Sequence, residues 1–239
     1  MGEEVDPDQI FQIHKDNWYK KSLEYWSSVD PTEAAMTGGA SIYDEYDISQ
    51  SKEFLEKYQR SNQLGNNRIA DCGSGVGRVS RQVLQYYFKQ IDLIEPVQHL
   101  LEKSLEILQN NATDSNAPIY TPINLSLQNW EPNEIYDAFW IQWPLMNLTD
   151  QDAIQFLIRA ANHLSSNGKI FIKDNLGDWD FKAPKTRGFF DSNDNSFCRT
   201  FSHFMEIFHK AGLKVIDGGK VKKWDPKLLP LCLFVLVKE

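Results

Sequence analysis

Short apolar runs alternate with longer amphipathic stretches along most of the chain. Seven runs have the length and composition of buried strands, at residues 68–71, 91–95, 119–123, 136–142, 169–173, 213–216 and 231–237. Amphipathic helices are predicted between them, at 79–87, 100–108, 150–164 and 196–211. This order is typical of an α/β fold, with a mostly parallel sheet covered by helices on both faces. The last two strands leave no room for a helix between them, which favours antiparallel pairing.

The first 60 residues have a different, helical pattern. Residues 10–28 predict one amphipathic helix, and its expected buried positions are Ile10, Ile13, Leu23 and Trp26. A second helix is predicted from Ser49, a suitable N-cap residue, with Phe54, Leu55 and Tyr58 facing inward. We therefore expect a helical extension at 1–60 that packs over the active site of a domain at 61–239.

Composition and charge narrow the functional classes. The chain has 239 residues and a formal net charge of -8, with 25 Lys and Arg against 33 Asp and Glu. An acidic protein of this kind lacks the basic surface that supplies most of the affinity for nucleic acids or anionic membranes. No apolar run approaches the ~20 residues that a membrane span requires. We expect a monomer that binds neither nucleic acid nor membrane.

Cysteine and histidine usage favours an intracellular protein without a metal site. The three cysteines, Cys72, Cys198 and Cys232, form no C-x-x-C pair, and an odd number cannot complete a set of disulfides. The acidic N-terminus has neither the basic region nor the apolar region of a signal peptide. The five histidines are scattered and form no zinc-binding motif. We expect the protein in the nucleus, the cytoplasm or both.

A glycine-rich loop follows the first predicted strand. The segment D-C-G-S-G-V-G-R at 71–78 places Gly73, Gly75 and Gly77 between a strand and a helix. Glycines allow the backbone to approach a ligand closely, and the N-terminus of the next helix favours negative charge. A tight turn without a ligand is the plainer alternative. The spacing G-x-G-x-G differs from the G-x-G-x-x-G of dinucleotide-binding enzymes, which weakens the prediction of a nicotinamide oxidoreductase.

Two charged residues near this loop indicate what it binds. Glu95 ends the second predicted strand, where a carboxylate accepts hydrogen bonds from both hydroxyls of a ribose. Arg78 lies in the first helical turn, an unfavourable place for a cation unless it binds a carboxylate. S-adenosyl-L-methionine has a ribose, an adenine and an amino-acid carboxylate, so one ligand would use all these features.

The loop resembles the first motif of class I methyltransferases and, more narrowly, of the α-N-terminal protein methyltransferases. That family methylates the terminal amine of proteins beginning Xaa-Pro-Lys. The resemblance covers nearly the whole chain and implies a Rossmann-like fold with a seven-stranded sheet. The segments that carry it lie at 25–26, 36–39, 71–79, 127–130, 140–143, 148–150, 172–175 and 194–199.

The resemblance also implies a role for particular residues. Those expected to bind S-adenosyl-L-methionine are Gly73, Gly75, Arg78, Glu95, Pro96, Val97, Leu127, Gln128 and Gln142. Those expected to line a peptide channel are Trp26, Gly38, Trp143, Asn175, Asp191, Asp194 and Ser196. Asp194 and Asn175 are the catalytic candidates, Asp194 as the proton acceptor and Asn175 as the anchor of the first substrate residue.

The same residue types have structural interpretations. A tryptophan on a helical stripe, such as Trp26, is more often part of a core than of a substrate wall. The polar segment 191–196 is also typical of a solvated loop that ends in an N-cap. Gln142 and Asn175 would equally suit the ends of strands. Trp143 precedes Pro144 just after a strand, which favours a position at the border of a cleft.

The chain also departs from the family pattern. Thr37 and Ala40 replace a leucine and an aromatic residue, Asn147 replaces a histidine, and Leu229 replaces an aromatic residue near the C-terminal hairpin. The aromatic-rich stretch 178–190 is unusual as well. These differences fall mainly in the peptide half, so two other functions stay open. One is methylation of a small molecule, and the other is a paralogue that binds S-adenosyl-L-methionine with little turnover.

Overall fold

The strands form a seven-stranded sheet in the order β3-β2-β1-β4-β5-β9-β8 and a separate two-stranded hairpin, β6-β7. A computed structural model describes residues 7–39, 44–110, 117–177, 188–221, 224 and 228–239. The strands of the sheet are β1 Arg68–Cys72, β2 Gln90–Ile94, β3 Ile119–Ile123, β4 Tyr136–Gln142, β5 Leu164–Asn175, β8 Leu213–Lys220 and β9 Leu231–Lys238. The hairpin strands are β6 Gly188–Asp191 and β7 Ser196–Arg199.

Strand pairing confirms the predicted α/β sheet. β1 pairs with β2, and β2 with β3, in parallel register. β9 pairs antiparallel with both β5 and β8, as the short connection before it predicts. Four helices precede β1, namely α1 Pro7–His14, α2 Trp18–Ser28, α3 Glu33–Met36 and α4 Asp44–Arg60. The helices between strands are α5 Arg78–Gln82, α6 Gln98–Asn110, α7 Asp150–Asn162 and α8 Phe201–Lys210.

The chain divides into two compact units. The glycine-loop unit comprises Ser27–Trp140 and His163–Lys169. The hairpin unit comprises Met1–Trp26, Ile141–Asn162 and Ile170–Glu239. The division at residue 60, with a helical extension over the active site, is a separate hypothesis and stays a prediction.

The hairpin unit has two aromatic clusters that position its helices. α8 packs on β9 through Phe204 and Phe208, whose ring centroids lie 5.6 and 5.1 Å from that of Phe234. Ile10, Trp18 and Phe197 form a second buried cluster, which joins α1 and α2 to the β6-β7 hairpin. Large buried rings contribute much of the apolar area in such clusters. These contacts therefore fix the positions of α1, α2 and α8.

The predicted single helix at 10–28 is wrong in its middle. The chain turns at residues 15–17, where Asn17 N donates to His14 O, and this separates α1 from α2. The turn changes the phase of the second helix. Trp18 and Ser22 are therefore the buried positions of α2, and Leu23 is 38% exposed. In α1, the predicted buried residue Ile13 is 73% exposed.

Two other helix starts differ from prediction. α4 begins at Asp44, so Ser49 lies inside the helix and is no N-cap, although Leu55 and Tyr58 are buried as predicted. Residues 196–199, predicted as helix, form β7 instead, and α8 begins at Phe201 after the N-cap Thr200. β7 pairs with β6 across a tight turn, from Gly188 with Arg199 to Asp191 with Ser196, and helical periodicity does not reveal such a hairpin.

Within the described ranges, no helix is both long and apolar enough to cross a membrane. Cys72, Cys198 and Cys232 are all buried and free.

Candidate active site

The glycine-rich loop adopts a conformation that requires its glycines. Gly73, Gly75 and Gly77 have φ values of 74, 53 and 77°, in the left-handed region where a side chain is strained. The amides of Gly73 and Ser74 donate to Ile94 O at 2.8 and 3.1 Å, which fastens the loop to the end of β2. The backbone of this loop is therefore fixed before any ligand binds.

Glu95 lies directly after β2, and only 6% of its surface is exposed. Its Oε2 accepts from Gly75 N and its Oε1 from Val97 N, each at 2.9 Å. Burial raises the pKa of Glu95 to about 7, although both backbone hydrogen bonds oppose the shift. Each carboxylate oxygen has a second lone pair for a ligand hydroxyl, so the geometry fits a ribose.

Arg78 is buried at the start of α5, and its Nη2 donates to Asp47 Oδ2 of α4 at 2.8 Å. The sequence did not predict this ion pair, because Asp47 lies 31 residues away. A guanidinium has five N–H donors, so the contact with Asp47 is compatible with binding a ligand carboxylate as well. Nearby, Ser80 Oγ donates to Asp71 Oδ2 at 2.6 Å, and burial raises the pKa of Asp71 to about 6.

The segment at 36–39 lies against the same loop. A Cβ on Gly75 would be 3.1 Å from Met36 Sδ, so the glycine also makes room for this methionine. Arg81 of α5 pairs with Glu33 of α3 at 2.5 Å, which holds the two helices together. Gly38, predicted to bind substrate, is exposed with φ 61° and belongs to the glycine-loop unit.

The remaining predicted cofactor residues of this unit differ in burial. Val97 and Leu127 are buried, whereas Pro96 and Gln128 are half-buried. Ser74, which the sequence analysis did not assign, has a buried Oγ with no hydrogen-bond partner among the described residues. An unsatisfied hydroxyl inside the loop is what a ligand or a bound water would complete. Together with Glu95, it makes the loop fit a nucleoside ligand.

In the hairpin unit, three predicted substrate residues lie around the β6-β7 turn. Ser196 Oγ donates to Asp194 Oδ1 at 2.6 Å, and Asp191 Oδ1 accepts from Asn193 N at 2.9 Å. Burial raises the pKa of Asp194, and the nearby charge of Asp191 adds to the effect. The segment is no N-cap, because α8 is capped by Thr200 instead.

The segment after β4 is fixed by backbone contacts. Gln142 ends the strand and is buried. Trp143 has φ 73°, a strained conformation for a residue with a side chain, and its N donates to Lys173 O at 3.0 Å. Residues 144–147 then form a 3-10 turn. The half-buried Trp143 is therefore held at a bend after the strand, and its place at the border of a cleft stays a prediction.

Asn175 lies at the end of β5 and is half-buried, and its N donates to Asp174 Oδ1 at 2.8 Å. Asp174 is 1% exposed, and no group in the described part of the chain makes a hydrogen bond to its Oδ2. Burial raises the pKa of Asp174 to about 7. Sequence reasoning assigned a role only to Asn175. The sequence feature that could have identified Asp174 as a candidate is its position as an acid at the end of an apolar strand.

Described contacts are made by Trp26, another predicted substrate residue, and by two of the residues that depart from the family pattern. Trp26 is half-buried, with its ring 5.2 Å from that of Tyr25. Asn147 O accepts from Trp18 Nε1 at 2.7 Å, and its Oδ1 accepts from Ser22 Oγ at 3.3 Å. Leu229 O accepts from Trp224 Nε1 at 2.9 Å. Ala40 and most of the stretch 178–190 lie outside the described residues.

The glycine loop follows β1 and the acid Glu95 follows β2, so both lie at the carboxyl ends of parallel strands, where α/β folds bind nucleosides. This arrangement is that of the class I methyltransferase fold. No group of three or more His, Cys, Asp or Glu that would hold a metal ion occurs among the described residues. The fold and these residues together are those of an S-adenosylmethionine-dependent methyltransferase.

Comparison with known proteins identifies the family to which the chain belongs within this class of enzymes. The model of the family described as AdoMet dependent proline di-methyltransferase matches residues 14–237, and the chain belongs to that family. It is similar to alpha N-terminal protein methyltransferase 1 of Dictyostelium discoideum, with 32% identity over 94% of this chain and 81% of that protein. N-terminal Xaa-Pro-Lys N-methyltransferase 1-A of Xenopus laevis is 33% identical over 92% of this chain and 95% of its own length.

Solved structures give the same answer for the fold. A SAM-dependent methyltransferase of Leishmania major has a TM-score of 0.84 and 29% identity, over 97% of this chain and 91% of its own. Magnesium protoporphyrin IX methyltransferase of Synechocystis PCC 6803 with bound SAM has a TM-score of 0.63 over 100% of both chains. At 12% identity, that second likeness shows the fold alone. The protein is thus a methyltransferase that uses S-adenosylmethionine.

Proposed function

We propose that this enzyme methylates the α-amine of proteins that begin Xaa-Pro-Lys. The observation that carries the proposal is Asp194, a half-buried carboxylate with a raised pKa, positioned by Ser196 and three residues from Asp191. A carboxylate with a raised pKa is a stronger base than an exposed one, and a second acid beside it favours a cationic substrate. Family membership supports the same substrate class.

The glycine-loop unit would hold the cofactor. Glu95, fixed by two backbone amides, accepts the ribose hydroxyls, and Arg78 binds the carboxylate. Gln128 is assigned to the adenine side, and Leu127 to the same cofactor. When bound, S-adenosylmethionine supplies a methyl group on a sulfonium, which is the electrophile of an in-line displacement.

Asp194 would accept the proton that the amine must lose. A terminal amine has a pKa of ~7.7–8.0, against ~10.4 for a lysine side chain, so a carboxylate suffices as its base near neutral pH. The ammonium would give one proton to Asp194, directly or through a water, which leaves a neutral amine whose lone pair is free to accept the methyl group. Asn147, whose side chain has no basic nitrogen, leaves this role to Asp194.

The other candidates would position the peptide. Asp191 attracts the third-position lysine, and Asn175 donates or accepts hydrogen bonds at the first residue. Trp143 and Trp26 supply apolar walls for proline and exclude water, which strengthens electrostatic interactions inside the site. We further propose that the enzyme acts as a monomer in the nucleus or cytoplasm, without binding nucleic acid or membrane.

Peptides of matched sequence test the proposal. Mass spectrometry should find methyl groups on the terminal amine of Ala-Pro-Lys and Ser-Pro-Lys peptides. The same peptides with an acetylated N-terminus should stay unmodified, because their only remaining amine is the lysine side chain. Methylation of the acetylated peptides would contradict the proposal.

The two alternatives predict other results in that assay. A small-molecule methyltransferase would modify neither peptide yet turn over with a low-molecular-weight amine. A weak paralogue would bind S-adenosylmethionine by calorimetry and release no S-adenosylhomocysteine with any acceptor. The replacement at Asn147 is the feature that favours testing both.

A further inference from the structure

Arg199 is a completely buried cation to which the proposed function assigns no role. It ends β7, and 0% of its surface is exposed. Burying a guanidinium is costly unless its donors are all directed to acceptors, so its contacts should show what it holds.

Those contacts converge on the segment that follows β4. Nη1 donates to Leu145 O at 2.7 Å and Nη2 to Leu148 O at 2.6 Å. Leu145 and Leu148 lie inside and just after the 3-10 turn that follows Trp143. One planar group therefore fixes two carbonyls of this turn, as the geometry of a guanidinium fork allows.

An acid holds the guanidinium in this orientation. Asp150, the first residue of α7, accepts from Arg199 Nε at 2.9 Å through Oδ1, while its Oδ2 lies 2.6 Å from His203 Nε2. Burial works to raise the pKa of Asp150, but the hydrogen bond to His203 and the charge of Arg199 together lower it. The carboxylate is therefore ionised and pairs with the arginine at neutral pH.

The backbone of Arg199 links the turn to the other candidate substrate residues. Its carbonyl accepts from Gly177 N at 2.8 Å, two residues after Asn175. Its strand begins at Ser196, the partner of Asp194. The same residue thus contacts or belongs to all three segments that carry Trp143, Asn175 and Asp194.

We propose that Arg199 is a positioning residue for the peptide, because it holds the turn at 143–148 in register with the hairpin at 191–196. The inference rests on the proposed function. Lysine keeps the charge but cannot hold two carbonyls and a carboxylate in one plane. Misplacement of a substrate-contacting segment by about 1 Å is enough to lower turnover by about 100-fold.

The test compares Arg199→Lys with wild type by steady-state kinetics on an Ala-Pro-Lys peptide and by calorimetry with S-adenosylhomocysteine. We expect the peptide KM to rise about tenfold or more, since a misplaced wall weakens contacts throughout binding. The cofactor Kd should stay within about twofold, because the described contacts of Arg199 all lie in the hairpin unit. Arg60→Lys, an exposed arginine with 80% side-chain accessibility, is the matched control.

Two further measurements separate positioning from a general loss of structure. In Arg199→Ala, added guanidinium chloride at a non-denaturing concentration should restore part of the peptide affinity. Hydrogen exchange of the segment 143–149 should accelerate in Arg199→Lys, with no change at 73–78. An unchanged peptide KM in Arg199→Lys, or a cofactor Kd that weakens as much as the KM, would overturn the role of Arg199. Absence of peptide methylation by the wild type would instead overturn the proposed function.

Discussion

The glycine-loop unit and the hairpin unit hold their candidate residues by different means. In the first, the backbone amides of Gly75 and Val97 hold Glu95, and one buried ion pair joins Arg78 to Asp47. In the second, a buried ion pair between Arg199 and Asp150 joins segments that are distant in the sequence. Contacts made by backbone amides depend on the glycines that shape the loop. Contacts made by side chains are lost whenever either side chain is substituted. Substitution of Arg199 is therefore expected to disturb several segments at once, whereas the hydrogen bonds to Glu95 require no particular neighbouring side chain.

The largest effect is expected from a variant that removes the proposed base, lowers kcat and leaves cofactor affinity unchanged. Asp194→Asn keeps the shape of the side chain and removes the base, so kcat should fall by about 10²–10⁴-fold on an Ala-Pro-Lys peptide. Calorimetry should find the same affinity for S-adenosylhomocysteine as in wild type. Asp16→Asn, at an exposed acid in the turn before α2, is the control. A kcat within a few-fold of wild type would mean that Asp194 is not the proton acceptor.

A second change tests whether backbone geometry determines cofactor affinity. Alanine at Gly75 is strained by roughly 1–2 kcal/mol at its positive φ. A loop that shifts to relieve this strain moves the Gly75 amide away from Glu95, so Gly75→Ala should weaken S-adenosylhomocysteine binding by about tenfold or more. It also meets Met36 Sδ, so adding Met36→Ala should recover part of the affinity.

Gly212→Ala isolates the strain itself. This glycine has φ 67° with nothing within 4 Å of an added Cβ. The variant should lose thermal stability without any loss of cofactor affinity. Equal loss of affinity in both glycine variants would contradict a specific role for the loop.

The pH dependence of nucleoside binding sharpens the assignment of Glu95. Only the ionised carboxylate accepts hydrogen bonds from both ribose hydroxyls, and the pKa of Glu95 is about 7. Affinity for 5′-methylthioadenosine, which lacks the amine and carboxylate, should therefore rise about tenfold between pH 6 and pH 8. Glu95→Gln should bind more weakly and show a flatter pH profile. A wild-type profile as flat as that of the variant would exclude Glu95 as the ribose ligand.

The smallest expected effect concerns stability in the hairpin unit. Because the pKa of Asp174 is raised to about 7, the folded state binds its proton more tightly than the unfolded chain does. The contribution of Asp174 is therefore stabilising at acidic pH and is lost as pH rises from about 4 to about 7. Urea unfolding at pH 5 and pH 8 should show a smaller pH-dependent decrease in Asp174→Asn than in wild type. An equal decrease would assign the effect to other groups.

Local signals in the sequence predicted much of the glycine-loop unit. The strands at 119–123 and 136–142 have the predicted bounds, and the glycine loop and Glu95 lie at the expected strand ends. Their apolar runs and glycines act over a few residues, which a sequence pattern records directly. The contact of Glu95 with Gly75 follows from the parallel pairing of β1 with β2.

Long-range partners were beyond such patterns. The ion pair of Arg78 with Asp47 and the burial of Asp174 both depend on tertiary packing. The break between α1 and α2 was missed for a related reason, since the burial of Trp18 depends on Phe11 and Phe197. Periodicity alone does not reveal which partner a helix face will meet.

A crystal structure with S-adenosylhomocysteine and an Xaa-Pro-Lys hexapeptide tests the central claim most directly. The account predicts the terminal nitrogen of the peptide within hydrogen-bonding distance of Asp194, directly or through one water, and the ribose hydroxyls on Glu95. A peptide whose lysine side chain, rather than its terminal nitrogen, faces the thioether sulfur would contradict it.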